Sequence, residues 1–149
     1  MNKCRVFTLK KIKPQKITKQ SFKKYGSIIE WDGPENKAEK NQFRIVIRDS
    51  KVTGWRIAYL IVRKKKVDFL EQHPRSYESF EPIKGKSIIY VANKKNSKNI
   101  EAFILDKPIV LRKGLWHNVV TVGKEAHIKI TENNDVALIK QFLGYWLTA

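Results

Sequence analysis

The sequence predicts a mainly β protein, a double-sheet jelly-roll barrel with one short helix near each end of the chain. Short apolar or alternating stretches recur at roughly 8–12-residue spacing, separated by turns rich in Gly, Pro, Asn and Lys. Helical periodicity occurs only near the two ends. The chain has 149 residues, of which 42% are hydrophobic, so we expect a single domain over residues 1–149 with its own core.

The first half of the chain contains most of the predicted turns. Thr18 is a good N-cap for a short helix through residue 24, and Gly26 is expected to stop it. Asp32-Gly33-Pro34 is a strong turn signal, residues 36–41 are a polar loop, and residues 51–54 form another turn. Strands are predicted at 6–9, 27–31, 43–48, 55–62 and 67–73, and the largely apolar 55–62 is expected to be mostly buried.

The second half continues the β pattern until residue 132. Residues 93–99 are polar and predict a loop, and 132–135 break the pattern. The stretches 118–122 and 126–130 predict a hairpin around Gly123. Asp135 is expected to cap a closing helix. Strands are predicted at 87–92, 101–105, 109–111, 118–122 and 126–130, and the apolar side of the closing helix would hold Val136, Leu138, Ile139, Phe142, Leu143 and Trp146.

Charge is the most pronounced global property of the chain. Lys and Arg number 31 against 14 acidic residues, a net charge of +17. The cations are spread along the chain and are mostly lysine, whereas arginine leads in base and phosphate recognition. We therefore do not expect nucleic acid as a partner, and expect the charge to attract a small anionic substrate.

Location is indicated by the cysteine count and the apolar runs. The single cysteine, Cys4, allows no internal disulfide and fits a reducing cytoplasm. The first residues contain no apolar leader, and the run 57–62 is too short to cross a bilayer. We expect a cytoplasmic protein without a membrane partner.

Two short motifs suggest a site. Glu71, His73 and Glu78 precede the turn glycine Gly85, and Gly114-Leu-Trp-His117 follows some thirty residues later. This spacing resembles the two motifs of cupin barrels, with Glu71 in place of the first histidine. Residues i and i+2 share a face of a strand, so Glu71 and His73 are expected to point the same way.

These four residues are the candidate catalytic and metal-binding residues. Two carboxylates and two imidazoles, from Glu71, His73, Glu78 and His117, suit Mn, Fe, Ni or Zn in a site with open positions. The alternative is that both glutamates are solvated and His117 packs beside Trp116.

The chain resembles the ureidoglycolate lyase family in three patches. Residues 22–30, Phe-Lys-Lys-Tyr-Gly-Ser-Ile-Ile-Glu, are similar to the family's Phe-x-x-Tyr-Gly-x-Val-Ile-Glu. Residues 70–85 are similar to Leu-Glu-Arg-His-Pro-x-Ser-Gln-Ala-Phe-x-Pro-Leu-x-Gly. Ala102-Phe103 and residues 113–117 are similar to Ala-Phe and Gly-x-Trp-His. The three patches occur in the family's order with similar gaps.

The resemblance implies a cupin-like enzyme, often dimeric, that releases urea and glyoxylate from ureidoglycolate in purine and allantoin breakdown. By position, it implies Glu71, His73 and His117 as pocket residues, and Lys84 also matches some members. The departures affect substrate recognition. Gln72, Glu78, Asn118 and Val119 stand where the family has Arg, a polar residue such as Gln, His and Pro.

The implied reaction breaks a hemiaminal C–N bond. His73 or His117 could act as base or acid, since imidazole titrates near neutrality. With a metal, Glu71 and Glu78 would be ligands; without one, either could be a general base. The candidates to bind substrate are Arg75, Lys84 and Arg112 for its carboxylate, with Tyr90 and Trp116 as pocket or core residues.

Two other functions stay open at this point. One is a different cupin enzyme, such as an organic-acid or sugar isomerase or a dioxygenase, because fold does not fix function. The other is a non-catalytic barrel that binds a small anion. The sequence has no phosphate-binding glycine loop, no Gly-x-Ser-x-Gly elbow and no Cys-x-x-Cys pair, which gives little support to the corresponding enzyme classes.

Overall fold

The computed structural model describes residues 8–35, 42–51, 54–93 and 96–148. Over these ranges the chain forms twelve strands and one short helix, numbered in chain order. They are β1 (Leu9–Lys11), β2 (Gln15–Lys16), α1 (Lys19–Phe22), β3 (Gly26–Ile28), β4 (Trp55–Val62), β5 (Lys66–Gln72), β6 (Glu78–Lys84), β7 (Ser87–Asn93), β8 (Asn96–Ile104), β9 (Ile109–Leu111), β10 (Trp116–Thr121), β11 (Ala126–Asn133) and β12 (Ile139–Thr148). The mainly β prediction is confirmed.

The strands form two sheets. The seven-stranded sheet has the order β1-β12-β5-β10-β7-β8-β2, and the five-stranded sheet has the order β3-β9-β6-β11-β4. The chain therefore passes from one sheet to the other between β5 and β6, and again between β10 and β11. Each passage joins residues at the ends of strands in different sheets, and the first of them carries the segment between His73 and Glu78.

Two apolar clusters hold the sheets in place. The first lies between the sheets, because its members come from both: Ile89, Phe103 and Val119 from one sheet, Phe80 and Ile128 from the other. The second lies on the opposite face of the seven-stranded sheet and contains Leu70, Tyr90, Ala92, Trp116 and Val120. Alternation along β7 and β10 assigns successive residues to the two clusters.

Several predicted elements are confirmed. The strands 55–62 and 109–111 have the predicted bounds, and those at 67–73 and 87–92 are displaced by one residue at most. The N-terminal helix is present but shorter than predicted. Thr18 caps it by accepting a hydrogen bond from the Ser21 amide, and the two residues form a capping box. Among the described residues, no helix is long and apolar enough to span a bilayer.

The predicted C-terminal helix is wrong. Residues 139–148 form β12, which pairs antiparallel with β5 and parallel with β1. The same apolar residues satisfy a strand period, since Leu143, Tyr145 and Leu147 pack toward the second cluster at every second position. Gly144, at φ 77°, lies where the pairing register shifts between residues 142 and 147.

Long-range pairing overturned further predictions. The hairpin around Gly123 is wrong, because β10 and β11 belong to different sheets. The strand 55–62 is not mostly buried: it is the edge of the five-stranded sheet and leaves Trp55, Ile57 and Tyr59 exposed. Glu132 does not end the β pattern but lies within β11.

The remaining differences are local. Residues 43–48 form no strand, and β8 begins at Asn96, inside the predicted loop 93–99. The strands predicted at 27–31 and 101–105 correspond to β3 and the end of β8. Cys4, most of the strand predicted at 6–9, the loop at 36–41 and the middle of the turn at 51–54 lie outside the described residues.

Gly85 is expected to tolerate no side chain. Its φ is 79°, and a Cβ would lie 2.3 Å from the carbonyl oxygen of Glu125. We expect Gly85→Ala to lower the free energy of unfolding by about 2–3 kcal/mol. Gly123→Ala is the matched control, because no atom lies within 4 Å of that Cβ and its φ is not in the left-handed region. Urea denaturation of both variants measures the difference, and equal free energies would contradict the assignment.

Candidate functional site

The passages between the sheets gather five acidic and imidazole side chains. His117 in β10 pairs with Glu71 in β5, so the two lie side by side in the seven-stranded sheet. Glu132 in β11 pairs with Glu78 in β6 in the five-stranded sheet. His73 lies just past the end of β5. The structure therefore brings together Glu71, His73, Glu78 and His117, the four predicted residues, and adds Glu132. Their catalytic and metal-binding roles stay predictions.

Backbone carbonyl groups orient both histidines. Nδ1 of His117 lies 2.9 Å from the Leu115 carbonyl oxygen, and Nδ1 of His73 lies 3.2 Å from that of Ala137. A carbonyl can only accept, so in each ring Nδ1 carries the proton. The two Nε2 atoms then face Oε2 of Glu78, at 3.0 Å from His117 and 3.5 Å from His73.

The contact between His117 and Glu78 is short but lacks hydrogen-bond geometry. Oε2 of Glu78 and Nε2 of His117 are buried, and neither has a hydrogen-bond partner among the described residues. A neutral Nε2 would direct a lone pair at a carboxylate, which is unfavourable in a buried site. The arrangement needs positive charge between the two atoms, either a proton on His117 or a bound cation.

In the cation-free protein that charge is a proton. Burial alone would lower the pKa of His117, but the Glu78 carboxylate and the Leu115 carbonyl outweigh it and raise the pKa to about 9. Burial raises the pKa of Glu78, yet the charges of His117, His73 and Arg56 hold it below its ordinary value of 4.5. At neutral pH the pair is therefore imidazolium and carboxylate.

This pair predicts a loss of stability at alkaline pH. The folded-state pKa of His117, about 9, lies above its ordinary 6.5. Its contribution is therefore fully present below pH 6.5 and is lost as the pH rises through 9, on the order of 3 kcal/mol. Unfolding free energies of chelator-treated protein, measured across this range, should fall more steeply for the wild type than for His117→Gln. Parallel curves would contradict the pairing.

Glu132 is the residue of the cluster that sequence reasoning missed. Its Oε1 accepts hydrogen bonds from Nε and NH2 of Arg56 at 2.9 and 2.7 Å, while its buried Oε2 has no partner among the described residues. Arg56 and Glu132 are Cα partners across β4 and β11. The charged residue in the middle of a β pattern was the available signal, but only the strand pairing connects it with Glu78.

The cluster fits a divalent cation. Within the described ranges, two sets of three residues have donor atoms within 4.8 Å of one another: Glu71, His73 and His117, and His73, Glu78 and Glu132. The histidine Nδ1 atoms are held by backbone carbonyls, the usual outer-shell arrangement that directs Nε2 to a metal. The unpartnered oxygens of Glu78 and Glu132 are further donors of the kind that Mn, Fe, Ni and Zn accept.

A cavity of about 260 Å³ reaches the cluster. Glu71, Glu78 and His117 line one part of it, and Arg63 and Lys64, from the turn between β4 and β5, line another. Its volume is below that of pockets for drug-sized ligands, so it suits a small molecule. The two cations were known from the sequence only as part of a basic turn.

The three predicted carboxylate-binding cations lie elsewhere. Arg75 is exposed and donates to both oxygens of Asp135 at 3.0 Å. Arg112 donates to the carbonyl oxygen of Lys23 at 2.7 Å. Lys84 is at the end of β6 opposite to Glu78, since a seven-residue strand separates them. The structure therefore does not bring these cations to the cluster.

The two predicted aromatic residues also lie away from the cavity. Tyr90 and Trp116 belong to the second apolar cluster, on the face of the seven-stranded sheet opposite to His117. Trp116 immediately precedes His117 in a strand, so their side chains point to opposite faces. Tyr90 is fully buried there, and burial raises the pKa of its hydroxyl to about 12.

Comparisons with known proteins give one family and several distant structures. The model of the ureidoglycolate lyase family matches residues 9–137. Among curated proteins, none matches the chain. An S161A mutant of Bacillus subtilis oxalate decarboxylase is 18% identical, with a TM-score of 0.46 over 60% of this chain and 24% of that one.

Two plant proteins show a similar level of likeness. Peruvianin-I, a cysteine peptidase from Thevetia peruviana latex, is 19% identical, with a TM-score of 0.48 over 62% of this chain and 57% of that one. Vicilin from tomato, Solanum lycopersicum, is 19% identical, with a TM-score of 0.45 over 59% and 26%. The match thus spans about a quarter of the decarboxylase and vicilin chains. At these scores the three structures carry no conclusion about function.

Proposed function

Because the chain belongs to the ureidoglycolate lyase family, we propose that it is an enzyme that cleaves the C–N bond of ureidoglycolate, or of a close relative, to glyoxylate and urea. This reaction belongs to purine and allantoin breakdown. The observation that carries the proposal is the buried contact of 3.0 Å between Nε2 of His117 and Oε2 of Glu78, at a cavity of small-molecule size.

The pair supplies the two proton transfers that the reaction needs. The substrate hydroxyl loses its proton to a base, the carbonyl of glyoxylate forms, and the C–N bond breaks. The electron pair of that bond goes to nitrogen, which takes a proton and leaves as urea. Glu78 is charged at neutral pH and can accept the first proton, and His117 is protonated and can donate the second. Transfer of a proton from Glu78 to His117 then restores both groups.

A divalent metal is the alternative partner of the same side chains. Glu71, His73, Glu78 and His117 would hold it, and Glu132 offers a fifth donor. When bound, such an ion polarises a forming carbonyl and lowers the pKa of a bound hydroxyl. Glu78 and His117 would then be ligands rather than proton carriers, so metal dependence separates the two forms of the proposal.

The experiment is glyoxylate release from ureidoglycolate by chelator-treated protein, before and after addition of Mn, Ni, Zn or Fe. Activity that survives chelation supports Glu78 and His117 as proton carriers. Activity restored only by one of these ions supports the metal form. No release in any of these conditions would contradict the lyase proposal.

We also propose a cupin-type jelly roll that forms a homodimer in the cytoplasm. The exposed edge strand β4 supports the dimer, since Trp55, Ile57 and Tyr59 leave an apolar edge that proteins usually cover. Light scattering over a range of concentrations should give twice the mass of the chain. A monomer at all concentrations would contradict the proposal.

A further inference from the structure

The cavity is polar at two ends and apolar between them. Its acidic end consists of Glu71 and Glu78 with His117, and its basic end of Arg63 and Lys64. The lining between these ends is aliphatic or aromatic: Leu60, Val62, Val67, Phe69, Phe80 and Val119. Ureidoglycolate carries polar groups throughout and has no segment that could cover such a lining.

The ends are separated by about four residues of strand. Lys64 is fixed beside the end of β10, because its carbonyl oxygen accepts a hydrogen bond from the Thr121 amide at 2.9 Å. Glu71 is fixed beside His117 in the same strand by their pairing. Four residues of strand correspond to roughly 13 Å. A ligand that touched only the acidic end would not reach Arg63.

Arg63 is held in place by a chain of polar contacts. Its Nε donates to Oε2 of Glu125 at 3.1 Å, and Oε1 of Glu125 lies 2.8 Å from Nε2 of His127. Nδ1 of His127 lies 2.7 Å from the hydroxyl of Tyr59. The Arg63 side chain is still 68% exposed, so its terminal nitrogens remain accessible to a ligand. An anionic group is the ligand that such a guanidinium and the neighbouring Lys64 would bind.

We propose that the preferred substrate is an elongated ureidoglycolate, in which the distal urea nitrogen carries an aliphatic segment that ends in a carboxylate. The reacting head lies at Glu78 and His117, the aliphatic segment covers the apolar lining, and the carboxylate binds Arg63 and Lys64. The choice of head group rests on the proposed function. The length and the anionic end rest on the cavity alone.

Binding and turnover of a graded series test this inference. The series is ureidoglycolate and its derivatives with ethylene, butylene and hexylene carboxylate on the distal nitrogen. Affinity is measured by calorimetry and turnover by glyoxylate release. We expect affinity to rise by about fourfold for each added methylene until the carboxylate reaches Arg63. Arg63→Ala should then weaken the longer carboxylates at least tenfold and leave ureidoglycolate unchanged.

Two controls make the result specific. Lys129→Ala also removes a cation paired with a glutamate, Glu81 at 3.0 Å, but on the outer face of the five-stranded sheet, and should change nothing. Derivatives that end in a neutral amide should bind wild type and Arg63→Ala equally. Affinity that is flat along the series, or unaffected by Arg63→Ala, would overturn the inference even if ureidoglycolate is cleaved. Tight, Arg63-dependent binding without glyoxylate release would support it and contradict the proposed lyase reaction instead.

Discussion

Glu78→Gln is expected to lower kcat/KM for ureidoglycolate by about a thousandfold. The amide has nearly the volume of the carboxylate but cannot accept the hydroxyl proton, and it no longer stabilises the charge on His117. Both forms of the proposal, proton carrier or metal ligand, require the carboxylate. Steady-state glyoxylate release from the purified variant measures the effect.

Glu81→Gln is the matched control for that experiment. Glu81 lies three residues further along β6 and points to the outer face, where it accepts hydrogen bonds from Ser79 and Lys129. The same chemical change there should leave kcat/KM within about twofold of the wild type. A folded Glu78→Gln protein that kept more than a tenth of the activity would show that the reacting group lies elsewhere.

His117→Ala is expected to lower turnover by about a hundredfold to a thousandfold. The imidazole is the group positioned to protonate the departing nitrogen, and no other described residue faces Oε2 of Glu78 as closely as 3.0 Å. Because Glu78 and His117 act on one reaction as a unit, their effects should not multiply. The double variant, Glu78→Gln with His117→Ala, should be no more than about tenfold slower than the slower single variant.

Independent, multiplicative losses would mean that the two residues do not share a step. Near-ultraviolet circular dichroism of all three proteins controls for loss of the fold, since His117→Ala leaves a space beside Phe80, whose ring centroid lies 5.5 Å from that of the imidazole. A variant that kept the wild-type spectrum and full activity would contradict the assignment of His117.

Local patterns predicted the part of the cluster that lies within one strand or one motif. The two-residue period gave Glu71 and His73 a common side, and the motif spacing connected them with Glu78 and His117. Glu132 joins only through its pairing with Glu78 across β11 and β6. Pairing partners in a sheet are far apart in sequence, so no local pattern reports them.

The C-terminal helix failed for a related reason. Residues 136–146 satisfy a helical apolar period, but Leu143, Tyr145 and Leu147 also satisfy a strand period. A free edge of β5 was available, and β12 occupies it. Tertiary pairing of this kind overrides local preference.

The cations show a third limit of sequence reasoning. Arg75 was favoured because it follows His73 closely, yet the turn directs it outward to Asp135. Arg63 was visible only as part of a basic turn, and lines the cavity because β4 and β5 belong to different sheets and the turn between them closes the gap.

The most direct test of the central claim is the product balance of the reaction. Proton NMR of ureidoglycolate with the purified protein, together with assays for urea and ammonia, reports which bond is broken. The account predicts glyoxylate and urea in equal amounts, no ammonia, and no reaction with Glu78→Gln. Release of ammonia, or no glyoxylate under any metal condition, would contradict it.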